Sequence, residues 1–279
     1  MNAPTNPIAL ATRELIAIRA SSLAELFDCA HRWEGKHLLG ITGPTGGAAQ
    51  LGTAVHAGTA TFDASRLPGG SPVTVDDAAG AVVDAIQNPE RDVDWGDTNK
   101  REAERIALSL HTRYCLEVAP KQQYLGVEVK CERLELPELG IALTGTNDRV
   151  RITPVNTYGI SDLKTGKRAV GTNGKAETTK HALQLGVYEL LAEHAMGIPI
   201  SAPAQVIGLN TGNTPATQRI GTGEVRNARD LLLGQEGEPG YLELAAQIVR
   251  RGEFPANPSS FLCSAKYCPR HATCRHRAR

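Results

Sequence analysis

The stretch Gly145–Lys167, GTNDRVRITPVNTYGISDLKTGK, decides the fold. Its two ends alternate with a period of two, and the middle, TPVNT, carries the proline and asparagine of a short turn, so the stretch predicts an antiparallel hairpin. In the second arm Ile160, Asp162 and Lys164 share one face, and Ser161 and Leu163 share the other. Asp148 lies in the first arm, on the face of Thr144, Thr146 and Val150. Two carboxylates and a lysine thus meet on neighbouring half-buried strands, where an uncompensated charge is costly. The same Asp-x-Lys spacing recurs as Glu128-Val129-Lys130, but there Val127, Val129 and Cys131 form the apolar face. Glu128, Lys130 and Glu132 are therefore read as a solvated face.

The flanks of the hairpin extend the pattern. YLGVEVKCERLEL, from Tyr124, reads as a strand before it, and APAQVIGLN as a strand after it. Between them ETTKHALQLGVYELLAEHAMG is a helix ending at Gly197, a crossover that predicts parallel pairing of the strands it joins. The expected fold class is therefore α/β, a central mixed β-sheet flanked by helices. Upstream, SSLAELFDCAHRWEGKHL reads as a first helix carrying Cys29, ITGPTGGAAQ as a flexible loop, and LGTAVHAGTATFDAS as a second helix carrying His56. Further helices are expected over about 74–87 and, after a linker at Pro89 to Trp95, about 97–118. A last helix is expected over roughly 224–251, interrupted near Gly234 to Gly240. The organisation that follows is a helical region over 1–120 contributing Cys29 and His56, a core over 121–255, and a cysteine tail over 256–279.

Acidic and basic residues balance at 30 each in 279 residues, so no overall cationic field advertises a nucleic-acid partner. Any such binding needs a local patch, and Lys167, Arg168, Lys175 and Lys180, in the polar stretch after the hairpin, supply one. The start, MNAPTNPIALATRELIAIRA, lacks an apolar core behind a basic end, and no apolar run is long enough to cross a bilayer. A soluble cytoplasmic protein without membrane partners is expected, with its thiols reduced. GPTGGAAQLG lacks the Gly-Lys-Ser/Thr ending of a phosphate loop, which excludes that mode of nucleotide binding.

Two of the six cysteines, Cys115 and Cys131, follow apolar rhythms and read as core. Cys29, Cys263, Cys268 and Cys274 do not. The tail cysteines are three, and a closed tetrahedral site or a cubane cluster needs four ligands, for which Cys29 is the natural candidate.

The carboxylate pair suits Mg²⁺ or Mn²⁺, and a lysine two residues from a ligand can orient or deprotonate a water for attack on phosphorus. Further motifs stand in order around this centre. Gly52-Thr-Ala-Val-His56, Gly145-Thr-Asn-Asp148-Arg149, Asp162-Leu-Lys164-Thr-Gly166 and Gln184-Leu-Gly-Val-Tyr188 together resemble the PD-(D/E)XK nuclease superfamily. The likeness is to its RecB-like branch, which includes bacteriophage exonucleases and CRISPR-adaptation nucleases with an iron-sulfur cluster, and runs from about Cys29 to Cys274.

The resemblance implies a restriction-endonuclease-like core in which His56, Asp148 and Asp162 bind catalytic Mg²⁺ or Mn²⁺, with the carbonyl of Leu163 as a further ligand and Lys164 activating water. It places Gln184 and Tyr188, one helical turn apart, at the substrate or the rim of the site. It also implies a structural 4Fe-4S cluster held by Cys29, Cys263, Cys268 and Cys274. Two departures, four residues between the first tail cysteines instead of two and Ala30 in place of a proline, leave a zinc site using His271 or His276 open, and reduced thiols as well. The implied activity is that of a metal-dependent DNA exonuclease acting at DNA ends in recombination or repair. A non-catalytic DNA-binding or assembly protein, docking to a single-strand annealing protein or a larger nuclease, is the alternative. An RNA-directed nuclease is disfavoured by the scarcity of aromatic residues, 4% of the chain.

Overall fold

The computed structural model describes residues 14–96 and 98–277. The alternation from Tyr124 onward builds three long antiparallel strands, and everything else packs on or beside them. In chain order the strands are β1 (Ile16–Arg19), β2 (Tyr124–Leu136), β3 (Ile141–Ile152), β4 (Tyr158–Gly166), β5 (Ala204–Asn210) and β6 (Ile220–Val225). The helices are α1 (Leu23–Asp28), α2 (Ala30–His37), α3 (Gly47–Ser65), α4 (Val75–Gln87), α5 (Lys100–Arg113), α6 (Ala182–Met196), α7 (Ala228–Leu233) and α8 (Tyr241–Arg251).

The six strands form one mixed sheet, in the order β1-β3-β4-β5-β6 with β2 on β3. The crossover through α6 sets β4 and β5 parallel, pairing Ser161–Gly166 with Gln205–Asn210. Helices cover both faces. On one, Leu185, Val187 and Leu191 of α6 pack with Ile141, Leu143, Val150 and Ile160 of the sheet, and α1, α7 and α8 close the layer. On the other, Leu163, Ile207 and Leu209 meet Val55, Ile106 and Leu110 of α3 and α5. The result is a three-layer α/β/α architecture around two apolar cores. Among the described residues, no helix is long and apolar enough to cross a membrane.

The pairing of β3 shapes the site. Along its whole length β2 occupies one edge. The opposite edge is shared: β1 pairs Ile141–Thr144 in parallel, and β4 pairs Arg149–Ile152 in antiparallel. Among the described residues, Gly145–Asp148 have no strand partner on that edge, because β4 leaves β3 after Ser161 and turns to β5 instead. A notch opens there between β3 and β4.

Several sequence expectations are corrected. β1 was not expected: Ile16–Arg19 is four residues long, and its partner lies more than a hundred residues away, so local periodicity carries no trace of it. The helix expected over 224–251 with an interruption near Gly234 to Gly240 is present as the six-residue α7 and α8, separated by a small hairpin pairing Gly234–Gln235 with Glu238–Pro239, but its start at 224 gives way to β6, which was not expected. β6 reads IGTGEV, and its two glycines, a residue depleted in strands, weaken the strand signal. Cys29 does not ride on a helix. It breaks α1 from α2 with an extended backbone, φ −154° and ψ 94°. The Gly-rich loop is partly ordered, since Thr45–Gly46 pair with Val93–Asp94 and α3 starts at Gly47. The helix expected from residue 97 begins at Lys100 and ends in a π-turn over Tyr114–Val118; residue 97 itself, the first thirteen residues with the expected absence of a leader, and the last two of the tail lie outside the described residues.

Candidate active site

The notch collects the charged residues of three elements. Asp148 sits where β3 lacks its neighbour, and its Oδ2 accepts a hydrogen bond from the backbone N–H of Leu163 at 2.8 Å. The carboxylate thus takes the place of the missing ladder and bridges the two diverging strands. His56, on α3, brings Nδ1 to 3.5 Å from the same oxygen. Asp162, only 1% exposed, lies one residue before Leu163 on β4. Its Oδ2 lies 2.7 Å from Lys164 Nζ, an ion-pair contact without hydrogen-bond alignment, and has no other partner among the described residues.

A polar chain leads out of the notch. Lys164 Nζ donates to Gln184 Oε1 at 3.0 Å, and Gln184 Nε2 donates to Tyr188 Oη at 3.0 Å. Gln184 and Tyr188 stand one turn apart on α6, so the helix presents both to the lysine. Tyr188 fits because residue 145 is a glycine: a Cβ there would stand 3.1 Å from the tyrosine ring and 3.0 Å from Leu191. His181, just before α6, is held neutral, its pKa pulled down to about 4 by burial and then by Lys164.

The electrostatics separate the two aspartates. Burial pushes both carboxyls up. For Asp148 the charges of His56, Lys164 and Arg149 overcome burial and hold it well below the usual carboxylate range. For Asp162 burial and the negative charge of Asp148 outweigh Lys164, and its pKa rises to about 6. Burial would lower the pKa of His56, but Asp148 and Asp162 raise it. Burial and the two aspartates likewise push the Tyr188 hydroxyl above its ordinary value. A site that gathers this much negative charge away from water calls for a cation.

Behind the notch a buried network ties α3 to β3. Asp63, two turns along from His56, accepts from Arg149 Nε at 2.7 Å and from Tyr114 Oη at 2.6 Å. Arg149 also donates to Thr59 Oγ1 at 3.1 Å and to the carbonyl of Asp148 at 2.9 Å. The helix carrying His56 and the strand carrying Asp148 therefore share one charged clamp.

Glu128 corrects the sequence reading. It lies on β2 between the pairs Val127–Arg149 and Val129–Asn147, and so beside Asp148, and not on a fully solvated face. Ligand atoms of His56, Glu128 and Asp148 all lie within 4.8 Å of one another. Such a mixed nitrogen and oxygen donor set, with the unaligned oxygen of Asp162 next to it, fits a divalent ion such as Mg²⁺ or Mn²⁺.

The family follows from the whole chain. A family model described as the PD-(D/E)XK nuclease superfamily matches residues 18–275. The chain belongs to the PD-(D/E)XK nuclease superfamily. Among solved structures, one described as "Putative exonuclease" from Eubacterium rectale is 14% identical, with a TM-score of 0.53, covering 100% of this chain and 96% of that one. Another, SSO0001, is 12% identical with a TM-score of 0.43, covering 95% of this chain and 88% of that one. No curated protein matches the sequence. The first of these structures shares the nuclease fold with this chain.

A second cluster lies away from the notch. Cys29, Cys263, Cys268 and Cys274 line one small cavity together with His31, His271 and His276. The tail reaches it by way of polar contacts to α1 and α2: Ser260 Oγ donates to Asp28 Oδ2 at 2.7 Å, Asn257 Nδ2 to the carbonyl of Asp28 at 2.9 Å, and Arg270 Nη1 to Glu34 Oε2 at 2.6 Å. The break at Cys29 turns its thiol toward this cavity, where the backbone N–H of Asn257 meets the sulfur at 3.4 Å. Among the described residues, no three of these sulfurs lie within 4.8 Å of one another. Lys167, Arg168, Lys175 and Lys180 are exposed on the segment after β4. That segment is pinned, with the N–H of Val170 donating to Asn210 Oδ1 at 2.8 Å.

Proposed function

We propose that this protein is a Mg²⁺- or Mn²⁺-dependent deoxyribonuclease of the RecB-like branch, an exonuclease that hydrolyses phosphodiester bonds at DNA ends in recombination or repair. The observation that carries the reading is the meeting of Asp148, Asp162 and Lys164 at the place where β3 and β4 part. His56, Asp148, Asp162 and the carbonyl of Leu163 are the residues that would hold the ion. When bound, it supplies Lewis-acid polarisation of a phosphoryl oxygen and neutralises the carboxylates around it.

The chain's own groups do the rest. Lys164, held between Asp162 and Gln184, is placed to orient the attacking water and to stabilise charge that develops on the phosphoryl group. Gln184 and Tyr188 keep the lysine in one position, which is the pre-organisation such a step requires. The exposed Lys167, Arg168, Lys175 and Lys180 give a local cationic rim for a DNA backbone on a chain with no net charge. For the cysteine cavity we infer a structural 4Fe-4S cluster that fastens the tail onto the N-terminal helices. The four cysteines at one cavity match the count a cubane needs, one thiolate on each iron.

The test compares wild type with Asp162→Ala on end-labelled linear DNA and closed circular DNA, single- and double-stranded, with Mn²⁺, Mg²⁺ or EDTA. Metal-dependent degradation of linear DNA that disappears in the variant is expected. Undiminished cleavage by Asp162→Ala would contradict the mechanism. DNA binding without cleavage on any substrate would move the protein to the scaffold reading.

A further inference from the structure

Glu128 has three features that no motif explains. It is one of only two non-glycine residues with positive φ among the described residues, at +50°, a conformation that a glutamate adopts only when its surroundings hold it there. Its side chain is 44% exposed yet turned toward buried Asp148, although ordinary solvation would take a half-exposed carboxylate away from a second negative charge. Its one ion-pair partner among the described residues is Arg149 Nη1 at 3.4 Å, a long contact, and that guanidinium already has Asp63 at 2.7 Å.

The strand register accounts for the placement. Near the turn, β2 and β3 pair Leu136 with Ile141, and a straight continuation would set Glu128 opposite Arg149. The register shift between Cys131 and Leu134 moves it one place, opposite Asp148. A bulge and a strained backbone thus bring a third carboxylate to the imidazole of His56.

From this placement we infer that Glu128 is a direct ligand of the divalent ion, joining His56, Asp148 and Asp162 in a set that loads the ion before DNA arrives. This rests on the reading of the notch as a metal centre. Buried Asp162, whose charge Lys164 shares at 2.7 Å, adds a further carboxylate to this set. With one imidazole and three carboxylates the protein supplies enough charge to hold the ion without help from a substrate phosphate, which a Mg²⁺ site built on fewer carboxylates takes as a ligand.

The experiment is titration of the full-length protein with MnCl₂ alone, without DNA, followed by calorimetry and by the electron paramagnetic resonance signal of free Mn²⁺. Glu128→Gln keeps the length of the side chain and an acceptor for Arg149, so it removes the charge and little else; thermal unfolding without metal should match wild type. Mn²⁺ affinity is expected to fall at least tenfold in Glu128→Gln, and Glu128→Asp to recover part of it. Wild-type affinity in Glu128→Gln, with binding lost in Asp148→Asn, would overturn the inference and leave the metal centre standing, with Glu128 only a rim partner of Arg149. No Mn²⁺ binding by wild type would overturn the metal-centre reading itself.

Discussion

Asp63→Asn tests the clamp that holds the two sides of the notch in register. Asp63 is 1% exposed and Arg149 2%, and their 2.7 Å contact is the shortest link between the helix of His56 and the strand of Asp148. The asparagine keeps an acceptor for Tyr114 but removes the charge, leaving a buried guanidinium with the Asp148 carboxylate, already shared with His56 and Lys164, and the distant Glu128 carboxylate for compensation. Breaking a buried pair from one side costs about 3–5 kcal/mol, because the remaining ion has lost its water and gained nothing in return. With a urea m-value of about 3 kcal/mol/M, reasonable at this size, the unfolding midpoint falls by about 1–1.7 M. The measurement is equilibrium urea unfolding followed by circular dichroism. A companion variant, Asp63→Leu with Arg149→Met, replaces the pair by apolar side chains of similar volume and should recover much of the loss, since such replacements are often neutral. A single variant within about 1 kcal/mol of wild type, or a double variant that loses the sum of its two single changes, would refute the claim that the pair acts as one buried unit.

Two further outcomes are expected. Anaerobically purified protein should absorb in the visible range with matching iron and sulfide, and Cys274→Ala should lose the band and lower the thermal midpoint, because the tail is tied to α1 and α2 through this cavity; zinc without iron in elemental analysis would sink the cluster. Glu189, whose pKa is pushed up to about 7 by burial against the pull of Arg229, takes up a proton in the folded state before the unfolded chain does. The stability it contributes is full below the ordinary glutamate value of 4.5 and is lost as pH rises through about 7, so Glu189→Gln should flatten that fall in urea midpoints between pH 5 and pH 8; parallel curves for the two proteins would contradict the assignment.

What the sequence made legible was whatever depends on neighbours along the chain. The hairpin around Asp148 and Asp162 and the helix carrying Gln184 and Tyr188 have strong periods and clear turn signals, and the parallel crossover follows from a helix placed between two strands. What remained hidden depends on pairing. β1 is four residues whose only strand partner among the described residues is the start of β3, yet by taking a third of that strand's edge it helps define the gap that leaves Asp148 free. The placement of Glu128 turns on a one-residue shift within β2, and since side chains alternate with a period of two, a single shift reverses which ones face the site. Alternation counted from Val127, Val129 and Cys131 sends Glu128 to solvent; alternation counted from its cross-strand partners sends it to Asp148. Sequence periodicity measures the first and only register measures the second, so an active-site carboxylate next to a bulge is the kind of residue that motif spacing cannot find.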